Sequence, residues 1–181
     1  FIHEFPLKVS KHSEKKYNIK FNAAKELYNA ILGELFKRHN LMLSDIRYQH
    51  ARELYKQDNS KTEAQTLFDN LRVEYKITKN DLQKLAKDIK DKCYMKDHLD
   101  SVSIQKLSDR VFDTYYKWVC KKGGKPRFKS WKNGIRSMEG KSNTCLSFKN
   151  NIFSWNGIKS EIILQNNDKY GVQEHALNST I

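Results

Sequence analysis

Cysteine is scarce and poorly placed for pairing. Cys93, Cys120 and Cys145 lie 27 and 25 positions apart. An odd number excludes a complete disulfide framework. With no Cys-x-x-Cys there is no zinc ribbon or redox pair, and the usage fits a reducing cytoplasm. Cys93 and Cys120 fall in helical patterns and are expected as small core residues. Long hydrophobic runs are also missing. Nothing approaches the ~18 apolar residues of a membrane span, and Phe1 to Lys16 lacks the apolar stretch of a secretory signal. Asn178-Ser179-Thr180, a glycosylation acceptor in form, therefore reads as chance. The chain has no glycine-rich phosphate loop, no Gly-x-Ser-x-Gly, no His-Glu-x-x-His and no His/Cys metal spacing. No repeat of the length that builds solenoids is visible.

Acidic residues are outnumbered. Lysine and arginine total 34 against 21 aspartates and glutamates, a net charge of +13, and the pI is about 9.6. That balance calls for a nucleic acid or another anionic surface as partner and says nothing about fold. Magnesium nucleases gather carboxylates, a role for which the acids here are poorly placed. Asp45, Asp81, Asp88, Asp91, Asp97, Asp100, Asp109 and Asp113 all fall on predicted helices or their caps among lysines. Asp109 and Asp113, four apart, share a helix face, and helix-surface charge accounts for them better than a metal. The six histidines, His3, His12, His39, His50, His98 and His175, are scattered and read as surface or capping residues. No catalytic residue, metal ligand or cofactor is assigned.

What is present is enough for a packed core. Hydrophobic residues make up 38% and aromatics 12% of 181 residues, the size of one ordinary domain or two small ones. Phe1, Phe5, Leu7 and Val9 alternate as in a strand, with Pro6 marking an edge or bulge. From Ser13 the period becomes helical: Tyr17, Phe21, Ala24, Tyr28, Ile31 and Leu35 form one stripe, ending near His39-Asn40. Ser44 is expected to cap a second helix. Ser60-Lys61-Thr62-Glu63 has the form of a capping box for a third. Thr78 precedes a fourth, and Ser101 or Ser103 caps a fifth that Gly123-Gly124 and Pro126 bring to a stop. After Gly140 three strands follow, turning at Lys149-Asn150-Asn151 and at Asn156-Gly157.

The expected fold class is α+β: a small β-barrel or meander interrupted by an inserted bundle of about five helices. Residues 1–12 and 121–181 form the β-domain, residues 13–120 the helical one, and the first strand pairs with the last group. Phe1 in place of an initiator methionine, and the polar, aperiodic Gly171 to Ile181, read as cuts through something longer or as a degraded terminus.

The most informative stretch is the hinge between helices and strands. From Lys121 to Lys132 six basic residues surround two glycines, one proline and two aromatics. Cations at that density repel one another and are most at ease against a polyanion. Phe128 and Trp131 either offer flat faces for bases to stack on or tuck into a core beneath a solvated basic loop. Over Lys121 to Lys141 eight cations face a single acid, Glu139. Gly123, Gly124, Gly134 and Gly140 either let backbone amides approach phosphate or serve turn geometry alone. The candidate nucleic-acid-binding residues are Lys122, Lys125, Arg127, Lys129, Trp131, Lys132, Arg136 and Lys141.

Phe21-Asn22-Ala23-Ala24-Lys25-Glu26-Leu27-Tyr28-Asn29 resembles the first helix of the OrfB/TnpB-type insertion-sequence proteins, in which a Tyr-Asn pair recurs. Gly124-Lys125-Pro126-Arg127-Phe128-Lys129-Ser130 is similar to that family's G-x-P-R-F-K segment. Ser137 to Asn143 resembles the start of its following strands. These transposon-encoded proteins, often labelled transposases, are RNA-guided DNA nucleases related to compact type V CRISPR effectors. The resemblance implies a wedge-like β-barrel interrupted by a helical recognition domain. It covers nearly the whole chain but only the family's N-terminal half, so the RuvC-like domain, with its catalytic acids, and the zinc ribbon have no counterpart here. What carries over is Lys125, Arg127 and Lys129 as contacts to a guide-type RNA or RNA–DNA heteroduplex, read through backbone and shape. DNA is a second expected partner and no membrane is expected.

Three other readings fit the sequence less well. One is a piece of an active endonuclease whose nuclease domain lies elsewhere or is supplied by a partner. Another is a basic protein-interaction module. The last is a helix-turn-helix formed by Ser44–Gln57 and Ser60–Tyr75, disfavoured because Glu63, Asp69 and Glu74 oppose DNA beside Arg72.

Overall fold

A computed structural model describes residues 4–164, 171–173 and 175. Strand β1 (Leu7–Lys8) leads into α1 (Lys11–Ser44), followed by α2 (Ile46–Tyr55), α3 (Lys61–Glu74), α4 (Lys79–Asp91) and α5 (Ser101–Val119). Single 3-10 turns precede α3 and α5. The chain then runs without regular structure to β2 (Leu146–Lys149), β3 (Ile152–Trp155) and β4 (Ile158–Ile162). Mixed α+β architecture is thus observed, with the helices inserted between β1 and the other strands. Among the described residues no helix is long and apolar enough to cross a membrane.

The helical core follows the periodicity. Leu27, Ile31, Leu32 and Leu35 of α1 are fully buried with Leu82 of α4 and Val111 of α5. Burying each such side chain is worth about 1.5–3 kcal/mol. α1 is longer than its predicted span at both ends. The Ser10 hydroxyl accepts from the Ser13 amide, so helix starts two residues before Ser13. Met42 is buried and carries the helix beyond His39.

Caps depart from expectation in a consistent way. Asp45, not Ser44, caps α2 by accepting from the Arg47 amide. Asp100, not Ser101 or Ser103, caps α5 by accepting from the Ser103 amide. A carboxylate outcompetes a hydroxyl where the helix dipole adds to the hydrogen bond. The Ser60 box is not made: Ser60 ends a 3-10 turn and has none of the extended backbone of a capping residue. Thr78 caps α4 as expected, accepting from the Asp81 amide. Cys93 is exposed and Cys120 half-buried, so neither is the core residue expected; Cys145 is the buried one.

The four strands form one antiparallel sheet in the order β1-β4-β3-β2. Leu7 faces Ile162 and Lys8 faces Glu161, joining β1, which precedes the helices, to β4, which follows them. Asn150-Asn151 and Asn156-Gly157 make the two tight turns, with positive φ at all four residues, as a type I′ turn requires. The sheet is open, which corrects the expected barrel. Among the described residues, four strands of at most five residues are too few and too short to curl through the tilt and stagger of closure. One flank packs on α1, where Tyr17 stacks on Trp155 at 5.9 Å and Phe21 meets the same ring edge-on at 6.1 Å. Beside them a groove of about 650 Å³ stays open, lined by Leu7, Leu146, Phe153 and Trp155 among others. The predicted first strand from Phe1 is seen only as Leu7–Lys8, and Phe1 to His3 and Asn178-Ser179-Thr180 lie outside the described residues.

α3 ends in a left-handed residue that is not glycine. Lys76 has φ 54°, with its amide on the Val73 carbonyl at 3.0 Å and the Ile77 amide on the Arg72 carbonyl at 2.8 Å. That is a Schellman closure, in which the left-handed position favours glycine. Lys76→Gly is expected to stabilise the protein by roughly 0.5–1 kcal/mol, read as a higher urea midpoint. A lower midpoint would contradict strain at this position.

Candidate nucleic-acid interface

The hinge leaves α5 by the same device. Lys121 takes the left-handed conformation at φ 56°. Its amide reaches the Trp118 carbonyl at 2.9 Å, and the Lys122 amide reaches Lys117 at 2.7 Å. The helix is therefore closed before Gly123-Gly124, which were expected to stop it.

From Lys125 to Trp131 the chain runs as a strap along one face of α1, in the opposite direction. Trp131 lies against Lys25, whose ammonium is 4.3 Å from the ring centre. The Asn29 amide group donates to the Lys129 carbonyl at 2.9 Å and accepts from the Lys129 amide at 2.7 Å. The Lys129 ammonium lies 5.2 Å from the Tyr28 ring. Phe128 meets Phe36 edge-on at 6.1 Å and passes over Gly33, where a Cβ would stand 3.8 Å from its ring in ordinary contact. Lys125 sits 5.1 Å from Phe36 and 5.6 Å from Trp118. Residues 25, 28, 29, 33 and 36 are the three-and-four spacing of one helix face, matched to an extended partner.

Strapping places the cations around one cleft. A cavity of about 550 Å³ is lined by Arg110, Lys125, Arg127, Lys129 and Arg136, with Tyr28, Thr114, Asn133 and Gly134, and among the described residues by no carboxylate. Arg110 comes from α5. It pairs with Glu139 at 2.7 Å and donates to the Ser137 carbonyl at 3.0 Å, which neutralises the hinge's one acid and fixes the far wall. Among the described residues Lys122, Lys125, Arg127, Lys129, Lys132, Arg136 and Lys141 make no ion pair. Cation–π contacts steady Lys125 and Lys129 without cancelling their charge.

Behind the cleft the His39 ring is buried between Tyr115 and Trp118, 5.3 Å from each. The Tyr115 hydroxyl is 2.8 Å from its Nδ1. Burial, reinforced by the nearby Lys125 charge, holds His39 below its usual 6.5. Burial also raises Tyr28 above 10, with Arg110 pulling the other way. His39 is thus a core histidine, correcting its reading as a surface or capping residue.

The structure brings Lys125, Arg127, Lys129 and Arg136 together. Trp131 and Lys132 stand at the rim, both exposed. Lys122 follows the α5 closure and Lys141 leads into the sheet, and neither lines the cleft. Gly134 lines it with open space around its Cα, whereas a Cβ on Gly140 would fall 2.5 Å from Leu146, so Gly140 serves packing. Arg110, Tyr28 and Asn29 were not singled out as binding residues. Arg110 follows Asp109 in sequence but points about 100° away from it around α5, toward Ser137 and Glu139. Asp109 itself is taken up by Gln83 at 2.6 Å and Lys79 at 3.4 Å. For the helix-turn-helix reading, Arg72 is bound to Asp69 and Arg47 to Asp45 and Glu74, leaving no free reading side chain among those arginines. Comparison with protein-family models, curated proteins and solved structures returned no significant match.

Two outcomes follow from this geometry. Asn29→Ala removes both hydrogen bonds to Lys129 and is expected to cost about 1–3 kcal/mol, with faster tryptic cleavage between residues 121 and 136. An unchanged cleavage rate would show that the strap holds without its clamp. Because the folded-state pKa of His39 is depressed, its contribution is complete above ~6.5 and is lost as pH falls through the folded value. The melting temperature is therefore expected to fall from about pH 7 to about pH 5, and to fall less in His39→Gln. Equal losses in both proteins would remove His39 from the account.

Proposed function

We propose that the chain binds nucleic acid, with guide-type RNA or an RNA–DNA heteroduplex as the preferred form, through backbone contacts in the strap cleft and without catalysis of its own. The observation that carries this reading is the cleft: four cations that make no ion pair among the described residues, Arg110 paired with Glu139 in the wall, and sides set by an amide clamp and aromatic faces. Fixed cations of one sign release counterions when they meet phosphates, which makes such binding salt-dependent and indifferent to base sequence.

The same proposal extends to kinship. The two segments that resemble the TnpB-type proteins, Phe21 to Asn29 and Gly124 to Ser130, touch each other through Asn29 and Lys129. The reading of residues 1–12 and 121–181 as a wedge-like unit and 13–120 as a recognition-like unit rests on the resemblance, and Ile135 of the former packs in the core of the latter. A second reading, part of an active RNA-guided endonuclease with a RuvC-like domain outside this chain, draws on the open sheet and its uncovered apolar groove, a face that a further strand or domain would cover.

The test is a double charge reversal, Lys125→Glu with Arg127→Glu, followed by fluorescence anisotropy against a structured RNA over a range of salt. Affinity is expected to fall by about tenfold or more at low salt, the gap closing as salt rises. The slope of log K against log salt should drop by about 2. A folded double variant that binds as well as the parent at low salt would overturn the proposal.

A further inference from the structure

We infer that Trp131 is a stacking platform for one unpaired base, so that the site takes a single-stranded stretch whose neighbouring phosphates lie in the cleft. This rests on the nucleic-acid reading above and specifies its ligand. Trp131 is 81% exposed, more than any other aromatic among the described residues; Phe128 follows at 56%. Its ring is nevertheless held. The Lys25 ammonium lies 4.3 Å from its centre, and Lys25 is itself only 8% exposed, so one face of the indole is fixed against α1 while the other meets solvent. The Asn133 amide on the Ser130 hydroxyl, 3.0 Å, closes the turn that carries the ring.

The surroundings select the ligand. Lys129 and Asn133 flank Trp131 by two residues on either side and both line the cleft, so their Cα atoms are within about 8 Å of that of Trp131. Next to it in sequence stand Ser130 and Lys132, exposed and polar, which offer no apolar patch for a protein partner. A ring with one free face beside phosphate-binding cations matches the arrangement that holds single strands, where bases stack on aromatics and the backbone tracks a positive groove. In a duplex the bases already stack on each other and present no face to the indole. Duplex would meet the cations alone.

The test compares an oligouridine with an RNA duplex of equal phosphate count at low salt, using the full chain and its Trp131→Ala and Trp131→Tyr variants. Trp131→Ala is expected to weaken oligouridine binding by at least about fivefold and duplex binding by less than about twofold. Trp131→Tyr should restore most of the loss, because a flat ring returns. Replacing one uridine by an abasic unit should leave Trp131→Ala unaffected. In the parent chain, oligouridine should quench the tryptophan emission that Trp131→Ala lacks. Equal effects of Trp131→Ala on both ligands, or none on oligouridine, would overturn the stacking inference. If charge reversal at Lys125 and Arg127 still weakens binding in that case, the nucleic-acid reading stands and only the platform fails. If charge reversal has no effect either, both fall together.

Discussion

One side-chain amide organises the basic segment. Asn29 completes both backbone hydrogen bonds of Lys129, doing for a single residue what a neighbouring strand does for a whole one. Without it, a segment crowded with like charges would gain by moving its cations apart in water. With it, the backbone is fixed to α1 and the charges keep their spacing. Aromatic faces complete the hold: Tyr28 under Lys129, Phe36 and Trp118 under Lys125, and Trp131 over Lys25. None of these contacts neutralises a cation, so the arrangement stores a concentrated positive field in a fixed shape. A site of that kind loses little conformational entropy when a polyanion arrives.

The sheet gives this device its frame. Pairing of β1 with β4 returns the chain to where it began, so residues 120 to 145 must cross the helical block on the way. Tyr17 and Phe21 of α1 anchor the sheet through Trp155, and one turn further along the same helix Lys25, Tyr28 and Asn29 receive the strap. α1 is therefore the shared wall of core, sheet and cleft. Arg110 closes the opposite side from α5 by holding Ser137 and Glu139.

What the sequence made legible was periodic or local. The helical stripes, the tight turns at Asn150-Asn151 and Asn156-Gly157, and the return of the last strands to the first could be read directly. Those features depend on side-chain spacing and on residues that tolerate positive φ. Cap identities were misread because serine and aspartate adjoin at Ser44-Asp45 and at Asp100-Ser101, and the dipole decides between them only once the helix start is known. The stop at Lys121 was hidden because lysine gives no sign of left-handed backbone. The four cations of the cleft were found by charge density, whereas Arg110 and Asn29, about a hundred residues from the strap in one case, are brought there by tertiary packing alone. The barrel was implied by the family resemblance, whereas the strands themselves read as a meander, and closure depends on strand length and number.

Backbone amide exchange across the chain, measured with and without a structured RNA, tests the central claim most directly. The account predicts that the Lys129 amide is already slow in the free protein, because Asn29 holds it. It further predicts that added RNA slows exchange over residues 125–137 and leaves α2 and α3 as they were. Fast exchange at Lys129 in the free protein, or protection by RNA that falls on α2 and α3 and spares the strap, would contradict it.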